Sequence, residues 1–380
     1  MKRSFKRTIP IDIAEPGMVL AKDVYSAKDQ VLLRSGTELD QRHLDKLQAF
    51  NIEHLCIWQP LSDELSDEEI QQLKAEENAR RTCIEAVEIV KQVMSDVRMG
   101  DSLDLPKVRQ TVSELCTQLI QDDRVLRYID NLYAYDEYTF AHSIQVSVFT
   151  IILGKALHTP RPALEDIGTG GMLHDIGKTR VPLELLNLPR QYTAEEFAIM
   201  RNHPQYGEEI LRETNGVPEI VIRMAGEHHE RYNGTGYFRG LKGDQIHPYS
   251  QITALADVYD AMTTTRTYRP ALLPQQAVEF LLTGVGSFFN PDLCHLFIKH
   301  VAIFPVGCVV QLTNGLIGKI LEVDEKLPTR PVVGIIGKTK LMRITEIIDL
   351  RRRPDLLVAR VVPQSELLAI KGVWPSAKQV

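Results

Sequence analysis

The chain has 380 residues, of which 44% are hydrophobic and 25% charged, and its formal net charge at pH 7 is −6. These values are typical of a globular protein with two or three domains, and the negative charge argues against electrostatic capture of a nucleic acid polymer. The five cysteines stand singly without CxxC spacing, which favours a reducing compartment over a disulfide framework.

The first ten residues, MKRSFKRTIP, are basic, but no apolar segment follows them. The longest apolar run, near residues 146–154, is too short to span a bilayer. We therefore expect a cytoplasmic protein that does not insert in a membrane.

Residues 1–60 are predicted to form a small α/β accessory module. Short apolar runs alternate there with turn signals such as Gly36. A helical pattern covers Leu39, Leu44 and Leu47, and the segment IEHLCIW that follows is typical of a strand.

Residues 61–105 are predicted to form a helical linker. The segment LSDELSDEEIQQLKAEENARR is highly charged and lacks proline and glycine, which is typical of a solvent-exposed helix. An apolar stripe with three-and-four spacing follows, and it comprises Ile84, Val87, Val90, Met94 and Val97. Two heptads do not establish a coiled coil, so the 63–98 helix could pair two chains in a homodimer or pack on the chain's own domains.

Residues 106–302 form the largest block, and their pattern is helical almost throughout. The segment YTFAHSIQVSVFTIILGKAL is apolar on most of its circumference, which predicts a central helix. The next predicted helix contains Gly168, Gly170 and Gly171, whose small size would let a neighbouring helix approach closely.

After Phe304 the pattern changes from helix to strand. Asn314-Gly315 separates two β-rich runs, which is a strong hairpin signal, and RPVVGII and LLVARVV add two candidate strands. Residues 303–365 are therefore predicted to form a small antiparallel β module, followed by a tail at 366–380. The predicted fold class is mainly α: a helical bundle with a small N-terminal α/β module and a small C-terminal antiparallel β module.

Five histidines and two aspartates of the helical block are candidate metal ligands. They are His142, His174, Asp175, His203, His228, His229 and Asp257. Taken singly, each histidine is better explained as a hydrogen-bonded core residue, but the set as a whole indicates a metal site. The intervals between successive positions each match a helix, a connection and a return, so consecutive helices could bring these side chains to one point.

Imidazoles and carboxylates without a thiolate suit Fe, Mn, Zn, Co or Ni better than Mg or Ca, which prefer oxygen ligands alone. Seven ligands are too many for one tetrahedral ion, so we expect two divalent ions with Asp175 as the bridging carboxylate. Two ions roughly 3.5–4 Å apart can activate water and stabilise the leaving oxygen of an in-line displacement at phosphorus.

Three cationic residues near these ligands could contact a phosphate. Lys178 lies three residues after Asp175, on the same face if the helix continues past Gly177. Arg266 and Arg269 suit bidentate capture of phosphate, although a surface ion pair explains either arginine as well.

The motifs YTFAHS, HDIGK, HPQYG, HHERYNGTGYF and ADVYDAMTTTRTYRP, which occur in this order between about residues 125 and 300, resemble the HD-GYP family. Members of this family are bacterial phosphodiesterases of cyclic di-GMP within the HD phosphohydrolase superfamily. The resemblance implies a phosphohydrolase domain at 106–302 whose metal ligands are the seven residues above, with Fe or Mn as the foremost ions. It also implies that Asp175 and Lys178 act at the scissile phosphate, and that Arg266 and Arg269 hold the phosphates of a cyclic dinucleotide.

The sequence departs from the family's motifs at three places. Gly236-Tyr237-Phe238 replaces Gly-Tyr-Pro, Asn233 stands where many members have Asp, and Tyr138 stands where members with a third metal have Glu. Phe238 leaves φ free where proline would fix it, in a loop that the family associates with substrate handling and partner proteins. We therefore expect two metals, which the family associates with the linear product pGpG more often than with complete conversion to GMP.

Two alternatives to cyclic di-GMP hydrolysis stay open. The enzyme could act on another cyclic dinucleotide such as cyclic GMP-AMP, because the sequence has no base-reading signature. The protein could instead sense cyclic di-GMP without hydrolysing it; the complete ligand set argues against this alternative, and Phe238 leaves it open.

Overall fold

The computed structural model describes residues 4–26, 30–60, 67–121, 138–186, 188, 190–264, 271–301, 304, 306–324, 327–337 and 344–362. The chain divides into two compact units, the first built mainly on the residues up to Arg81 and the second on Thr82–Ile335 with Ile344–Val361. The fold is mainly α-helical, with a small α/β module first and a β-sheet last, as the sequence predicts.

The first unit combines short antiparallel strands with one helix. Its elements are β1 (Ser4–Pro10), β2 (Val19–Leu20), β3 (Val24–Tyr25), β4 (Val31–Leu33), α1 (Gln41–Ala49) and β5 (His54–Pro60). β5 lies between β1 and β2, and β3 pairs with β4. The basic N-terminal segment is a strand that the sequence did not indicate, and it pairs with β5 along its whole length. α1 buries Leu44 and Leu47, the face that its spacing predicts.

The linker forms α2 (Asp67–Met99), a helix of 33 residues. Of its apolar stripe, Val87, Val90 and Met94 are buried within the single chain. The helix stops before Gly100, whose φ of +95° lies in the left-handed region that glycine tolerates. The chain itself therefore covers most of the stripe without a second copy.

The second unit is a helical bundle followed by a sheet. Its helices are α3 (Leu105–Gln121), α4 (Tyr138–Ala156), α5 (Arg161–Leu173), α6 (Leu183–Leu186), α7 (Ala194–Met200), α8 (His203–Glu213), α9 (Glu219–Glu227), α10 (Pro248–Thr263), α11 (Pro274–Thr283) and α12 (Pro291–His300). A 3₁₀ helix, Ile176–Arg180, lies between α5 and α6. α4 is central, as predicted: residues 141–151 are all buried, and the helix contacts α3, α5, α10 and α12.

The main apolar core lies between α4, α10, α11 and α12. Phe149, Tyr259 and Phe297 meet there edge to face, with ring centroids 5.3, 5.7 and 6.0 Å apart. Because α4 and α10 share this core, the polar side chains that they carry at His142 and Asp257 are held at a fixed separation.

Glycines allow α5 to pack closely between α4 and α9. A Cβ on Gly171 would lie 2.8 Å from the Cα of Ser147 in α4, and one on Gly170 would lie 2.3 Å from the sulfur of Met224 in α9. The close approach predicted from these glycines is therefore confirmed.

The C-terminal sheet contains β6 (Val309–Leu312), β7 (Ile317–Glu322), β8 (Val332–Ile336), β9 (Ile344–Asp349) and β10 (Val358–Val361), in the order β10-β6-β7-β8-β9. The predicted hairpin joins β6 to β7, with the Leu312 amide donating to the Leu316 carbonyl at 2.8 Å and Gly315 at a φ of +84°. The sequence did not predict β9, most of whose residues are exposed. Among the described residues, no helix combines the length and apolar character needed to cross a bilayer.

Gly177, in the 3₁₀ helix, lies against the first turn of α8. A Cβ at this position would lie 1.9 Å from the carbonyl oxygen of His203 and 2.4 Å from the amide nitrogen of Gly207. These are backbone atoms of a helix, which cannot move aside as a flexible side chain can. We expect Gly177→Ala to lower the free energy of unfolding, measured in urea, by about 3 kcal/mol or more, at or above the upper end of the usual cost of overpacking.

Gly207→Ala is the matched control on the facing side of the same contact. The Cβ that alanine would add at position 207 lies at least 3.4 Å from the nearest atoms, which is an ordinary contact distance. Alanine also has the better helix propensity, by up to about 1 kcal/mol, so this variant should be neutral or slightly stabilised. Equal losses of stability in the two variants would contradict this account.

Candidate metal centre

The structure brings the seven predicted ligands together from five parts of the bundle. They are His142 within α4, His174 and Asp175 directly after α5, His203 at the start of α8, His228 and His229 directly after α9, and Asp257 within α10. Most of these residues lie at helix ends, where a side chain can leave the helix surface and point toward a common centre.

The donor atoms form two groups, and within each group the atoms lie within 4.8 Å of one another. The first group comprises His142, His174 and Asp175, and the second comprises His203, His228 and His229. The groups are adjacent, because His203 Nε2 lies 3.2 Å from Asp175 Oδ1.

Asp175 faces both groups. Its Oδ1 lies 3.2 Å from His203 Nε2 and 3.7 Å from His228 Nε2. Its Oδ2 lies 3.4 Å from His174 Nε2 and 3.9 Å from His142 Nε2. One carboxylate thus turns one oxygen toward each group, which is the arrangement that a bridging ligand requires.

Asp257 spans the two groups in the same way. Its Oδ1 lies 3.2 Å from His142 Nε2, and its Oδ2 lies 3.8 Å from His229 Nδ1. The sequence interpretation assigned the bridging position to Asp175 alone, whereas the geometry offers two carboxylates that reach both groups.

Three of the imidazoles are oriented by the same hydrogen bond. Nδ1 of His174, His203 and His228 donates to the main-chain carbonyl three residues earlier, at 2.8, 2.7 and 2.8 Å. A carbonyl oxygen can only accept, so Nδ1 carries a proton, and in the neutral imidazole Nε2 then keeps its lone pair. Each of these Nε2 atoms is therefore ready to bind a cation.

His142 is oriented by a carboxylate instead. Its Nδ1 lies 2.6 Å from Oδ2 of Asp260, a residue that is only 1% exposed. Asp260 was not among the predicted site residues, although it follows Asp257 by three positions and so lies on the same face of α10. That spacing is the signal that could have identified it.

The histidines differ in how their surroundings set their pKa. Burial lowers the pKa of His142, but its hydrogen bonds to Asp257 and Asp260 outweigh burial and raise it to about 9. Burial and the proximity of His174 and His203 lower the pKa of His228 to about 3. Burial and the charge of His228 also hold the pKa of His229 well below its usual value. His228 and His229 are neutral at pH 7, which is the form that binds a metal ion.

The two spanning carboxylates are ionised despite their burial. Burial raises the pKa of Asp175, but the charges of Lys178 and His174 hold it well below its usual value. Burial acts on Asp257 in the same direction, and there the hydrogen bond from His142 prevails and holds the pKa well below its usual value. The centre therefore combines two anionic carboxylates with the neutral imidazoles of His228 and His229.

Two buried donor atoms of the centre, His174 Nε2 and Asp175 Oδ1, have no hydrogen-bond partner in the part of the chain that the structure describes. Buried polar atoms in proteins are nearly always paired. A cation between the two groups would supply the missing partner, and nitrogen and oxygen donors without sulfur suit a first-row transition ion. The residues present therefore fit a bound metal.

Lys178 lies beside the centre, with its ammonium group paired to Asp175 Oδ2. The chain is a 3₁₀ helix at this point, yet the spacing of three residues still brings the two side chains together. Arg98, in the last turn of α2, donates to the carbonyl oxygens of Lys178 and Val181, each at 3.0 Å. Arg98 was not predicted from the sequence, and it fixes the turn that carries Lys178.

Glu230 anchors the loop that follows the GYF motif. Its Oε1 accepts from the amides of Arg239 and Gly240 at 2.7 and 3.1 Å, and its Oε2 accepts from the amide of Leu241 at 3.0 Å. The side chain is buried. The sequence interpretation did not single out this residue, although it directly follows His229.

Two of the three departures from the family's motifs, Asn233 and Gly236-Tyr237-Phe238, lie directly before this loop. The Tyr237–Phe238 peptide bond is cis, and the Tyr237 ring stacks on His229 with centroids 4.7 Å apart. Asn233 accepts from the Thr235 amide at 3.0 Å and donates to the Ser287 hydroxyl at 3.0 Å, so its side chain stabilises the loop.

Arg266 and Arg269, predicted to hold phosphates, lie outside the described residues, and so does the side chain of Tyr138.

Comparison with known proteins agrees with this architecture. The HD domain model matches residues 129–293, and the model of a KOW domain associated with HD domains matches residues 309–369. An HDG"Y"P protein from Bdellovibrio bacteriovorus has the same fold, with a TM-score of 0.54 and 18% identity over 78% of this chain and 98% of that one. The fold and the histidine–aspartate cluster together define the chain as an HD-domain phosphohydrolase.

Curated relatives identify the family within this class. A cyclic di-GMP phosphodiesterase of Pseudomonas aeruginosa is 34% identical over 277 residues, which cover 72% of this chain and 67% of the relative. A 3'3'-cGAMP-specific phosphodiesterase of Vibrio cholerae is 34% identical over 163 residues, which cover 43% of this chain and only 31% of the relative. The chain belongs to the HD-GYP family.

Asp260→Asn tests the hydrogen bond that orients His142. The amide has the shape of the carboxylate but lacks its charge, so metal affinity should fall about 10–100-fold, as is typical for such supporting residues. Competition of Mn(II) between the protein and a chelator measures the change. The exposed Asp244 supplies the control Asp244→Asn, which should bind as the wild type does. Unchanged affinity in Asp260→Asn would show that Asp260 does not support the centre.

Glu230→Gln tests the loop anchor. An amide cannot accept from three main-chain N–H groups as a carboxylate does, so hydrogen exchange at Arg239, Gly240 and Leu241 should accelerate about 10-fold or more. The amides of Tyr232 and Asn233 donate to main-chain carbonyls and serve as the internal control. Uniform acceleration at all five amides would indicate global destabilisation instead.

Proposed function

We propose that the protein hydrolyses cyclic di-GMP to linear pGpG, with GMP as the alternative end product, at a centre of two divalent transition metal ions, with Fe or Mn foremost and Zn, Co or Ni as alternatives. The single observation that carries this proposal is the pair of carboxylates, Asp175 and Asp257, each of which turns one oxygen toward each imidazole group. Two groups joined by two carboxylates suit two ions better than one.

The seven converging residues would hold the ions: His142 and His174 on one side, His203, His228 and His229 on the other, and Asp175 and Asp257 between them. Ions bound there would lower the pKa of water and stabilise charge on phosphoryl oxygens. The main-chain carbonyls behind three of the imidazoles and the Asp260 carboxylate behind His142 keep the donor atoms aimed at the centre.

Lys178 is the residue best placed to act on the phosphate itself. Its ammonium group lies beside Asp175 while the side chain stays 25% exposed, so it can reach a phosphoryl oxygen that approaches from the solvent side. A fixed cation there stabilises the charge that develops as the phosphodiester bond breaks. Arg98 holds the backbone of this lysine in place, and Arg266 and Arg269 remain candidates for the remaining phosphate contacts.

A 3'3'-cyclic GMP-AMP substrate is the second candidate. It is favoured by the relatives from Vibrio cholerae that are named 3'3'-cGAMP-specific phosphodiesterases, one of which is 34% identical over 163 residues. A direct comparison of the two substrates separates these candidates, because they share both phosphates and differ in one base.

The experiment loads the purified protein anaerobically with Fe(II) or Mn(II), counts the metal and separates the products from each cyclic dinucleotide by chromatography. We expect two metals per chain and conversion of cyclic di-GMP to pGpG. Tight calorimetric binding of cyclic di-GMP without product, at two metals per chain, would show a sensor instead and contradict the proposed hydrolysis.

Three variants assign the roles in the same assay. His174→Ala and Asp175→Ala should lose both metal and activity. Lys178→Ala should keep two metals while kcat falls about 100-fold or more, the usual cost of losing one charge-stabilising donor. Arg180→Ala is the matched control, since Arg180 lies in the same 3₁₀ helix but its guanidinium pairs with Glu209 at 2.7 Å. Full activity in Lys178→Ala would exclude the proposed role.

A further inference from the structure

A stack of side chains leads from the candidate metal centre to the protein surface. The Tyr237 ring lies on His229 with centroids 4.7 Å apart and an interplanar angle of 30°. The Arg201 guanidinium lies over the Tyr237 ring, 4.7 Å from its centroid. The Phe197 ring meets the edge of Tyr237 at 6.3 Å. Phe197 and Arg201 therefore lie one layer beyond Tyr237.

Arg201 is an exposed cation without an anionic partner among the described residues, and its guanidinium contacts the ring of Tyr237. Arg190, just before α7, shows the usual alternative, since it binds both carboxylate oxygens of Glu196 at 2.7 and 2.8 Å. Arg201 is also the residue that caps the C-terminus of α7, so its backbone is fixed while its guanidinium is free to pair with an anion.

Phe197 is an exposed aromatic residue next to this cation. Phe197 is 44% exposed, although burial of an apolar ring away from water is favourable. Helix α7 itself is well defined, because Thr193 and Glu196 form a capping box at its start. The ring is thus presented on a rigid helix with much of its surface open.

A cyclic dinucleotide bound for hydrolysis would place one phosphate at the metal centre. Imidazoles and carboxylates fill that centre, so the second phosphate and the bases must lie outside it. The side of the centre that carries His229 and Tyr237 offers both complementary groups: a planar cation that binds phosphate in a bidentate manner, and an aromatic ring on which a base can stack.

We propose that Arg201 and Phe197 form a subsite for the part of a cyclic dinucleotide that is not cleaved. Arg201 pairs with the second phosphate, and Phe197 stacks on a base. This inference rests on the proposed function, and it adds a binding site on α7 that neither the ligand set nor Arg266 and Arg269 include.

The experiment compares two substrates in the metal-loaded protein. Cyclic di-GMP engages the whole subsite, whereas methyl 4-nitrophenyl phosphate is a diester without a second phosphate or a nucleobase. In Arg201→Gln and in Phe197→Ala, KM for cyclic di-GMP should rise about 10-fold, the size expected for one stacking or charged contact. Bound metal, kcat and turnover of the small diester should stay as in the wild type.

Matched variants sharpen the comparison. Ile199→Ala removes another exposed apolar side chain of α7, and Arg180→Gln removes another exposed arginine; both should behave as the wild type. Phe197→Trp keeps an aromatic surface and should restore KM to within about 2-fold of the wild type.

Each outcome has a distinct meaning. An unchanged KM for cyclic di-GMP in both Arg201→Gln and Phe197→Ala overturns the subsite. An equal loss of activity toward both substrates, or a loss of bound metal, also overturns the subsite. Either result would show that the two residues stabilise the metal centre and do not bind the uncleaved part of the dinucleotide. If the loaded wild type cleaves no cyclic di-GMP, the proposed function fails, and calorimetry decides the subsite: weaker binding in the variants supports it, and absence of binding to the wild type overturns it.

Discussion

The buried carboxylate of Asp175 is the constraint on which the arrangement of this bundle depends. An ionised group that is only 1% exposed is costly unless its surroundings neutralise it. The ammonium group of Lys178 pairs with one of its oxygens, and four imidazoles from α4, α8, the segment after α9 and the turn that contains Asp175 itself lie around both oxygens. That turn must also press against α8, which only a residue without a side chain at position 177 permits. The same short turn thus provides both the charge pairing of Asp175 and the close backbone contact with α8.

The ends of three helices orient three of the histidines through the same type of hydrogen bond. The last carbonyls of a helix have no partner within the helix, and the C-terminal turns of α5, α7 and α9 each give one to the Nδ1 of the histidine that follows. The same hydrogen bond completes the helix end and aims Nε2 at the centre. His142 lies inside a helix, where no free carbonyl is available, and it uses the carboxylate of Asp260 instead.

The sequence predicted the helical block, the central α4 and the β6-β7 hairpin, because these depend on local periodicity and turn chemistry. It also named the seven histidines and aspartates that the structure brings together, through their intervals and the family motifs. The residues behind the ligands were harder to find. Asp260 shares a helix face with Asp257, so its position near the site could have been predicted from the spacing of three residues. The contact of Arg98 with the Lys178 carbonyl joins positions 80 residues apart through a backbone atom, and no side-chain pattern reports it. β9 escaped prediction because an edge strand that is largely exposed has little apolar alternation.

His174 Nε2 and Asp175 Oδ1, which have no hydrogen-bond partner among the described residues, also affect the stability of the fold. Without a bound cation, the buried polar groups of such a centre lack partners. The free energy of unfolding is then lower than in the metal-bound protein. A cation that binds only the folded chain returns that stability, by about 2.7 kcal/mol when its free concentration is 100 times its dissociation constant. Scarcity of the metal would thus reduce the folded population as well as the activity of each molecule. Metal binding would then support the folded state of the bundle as well as its chemistry.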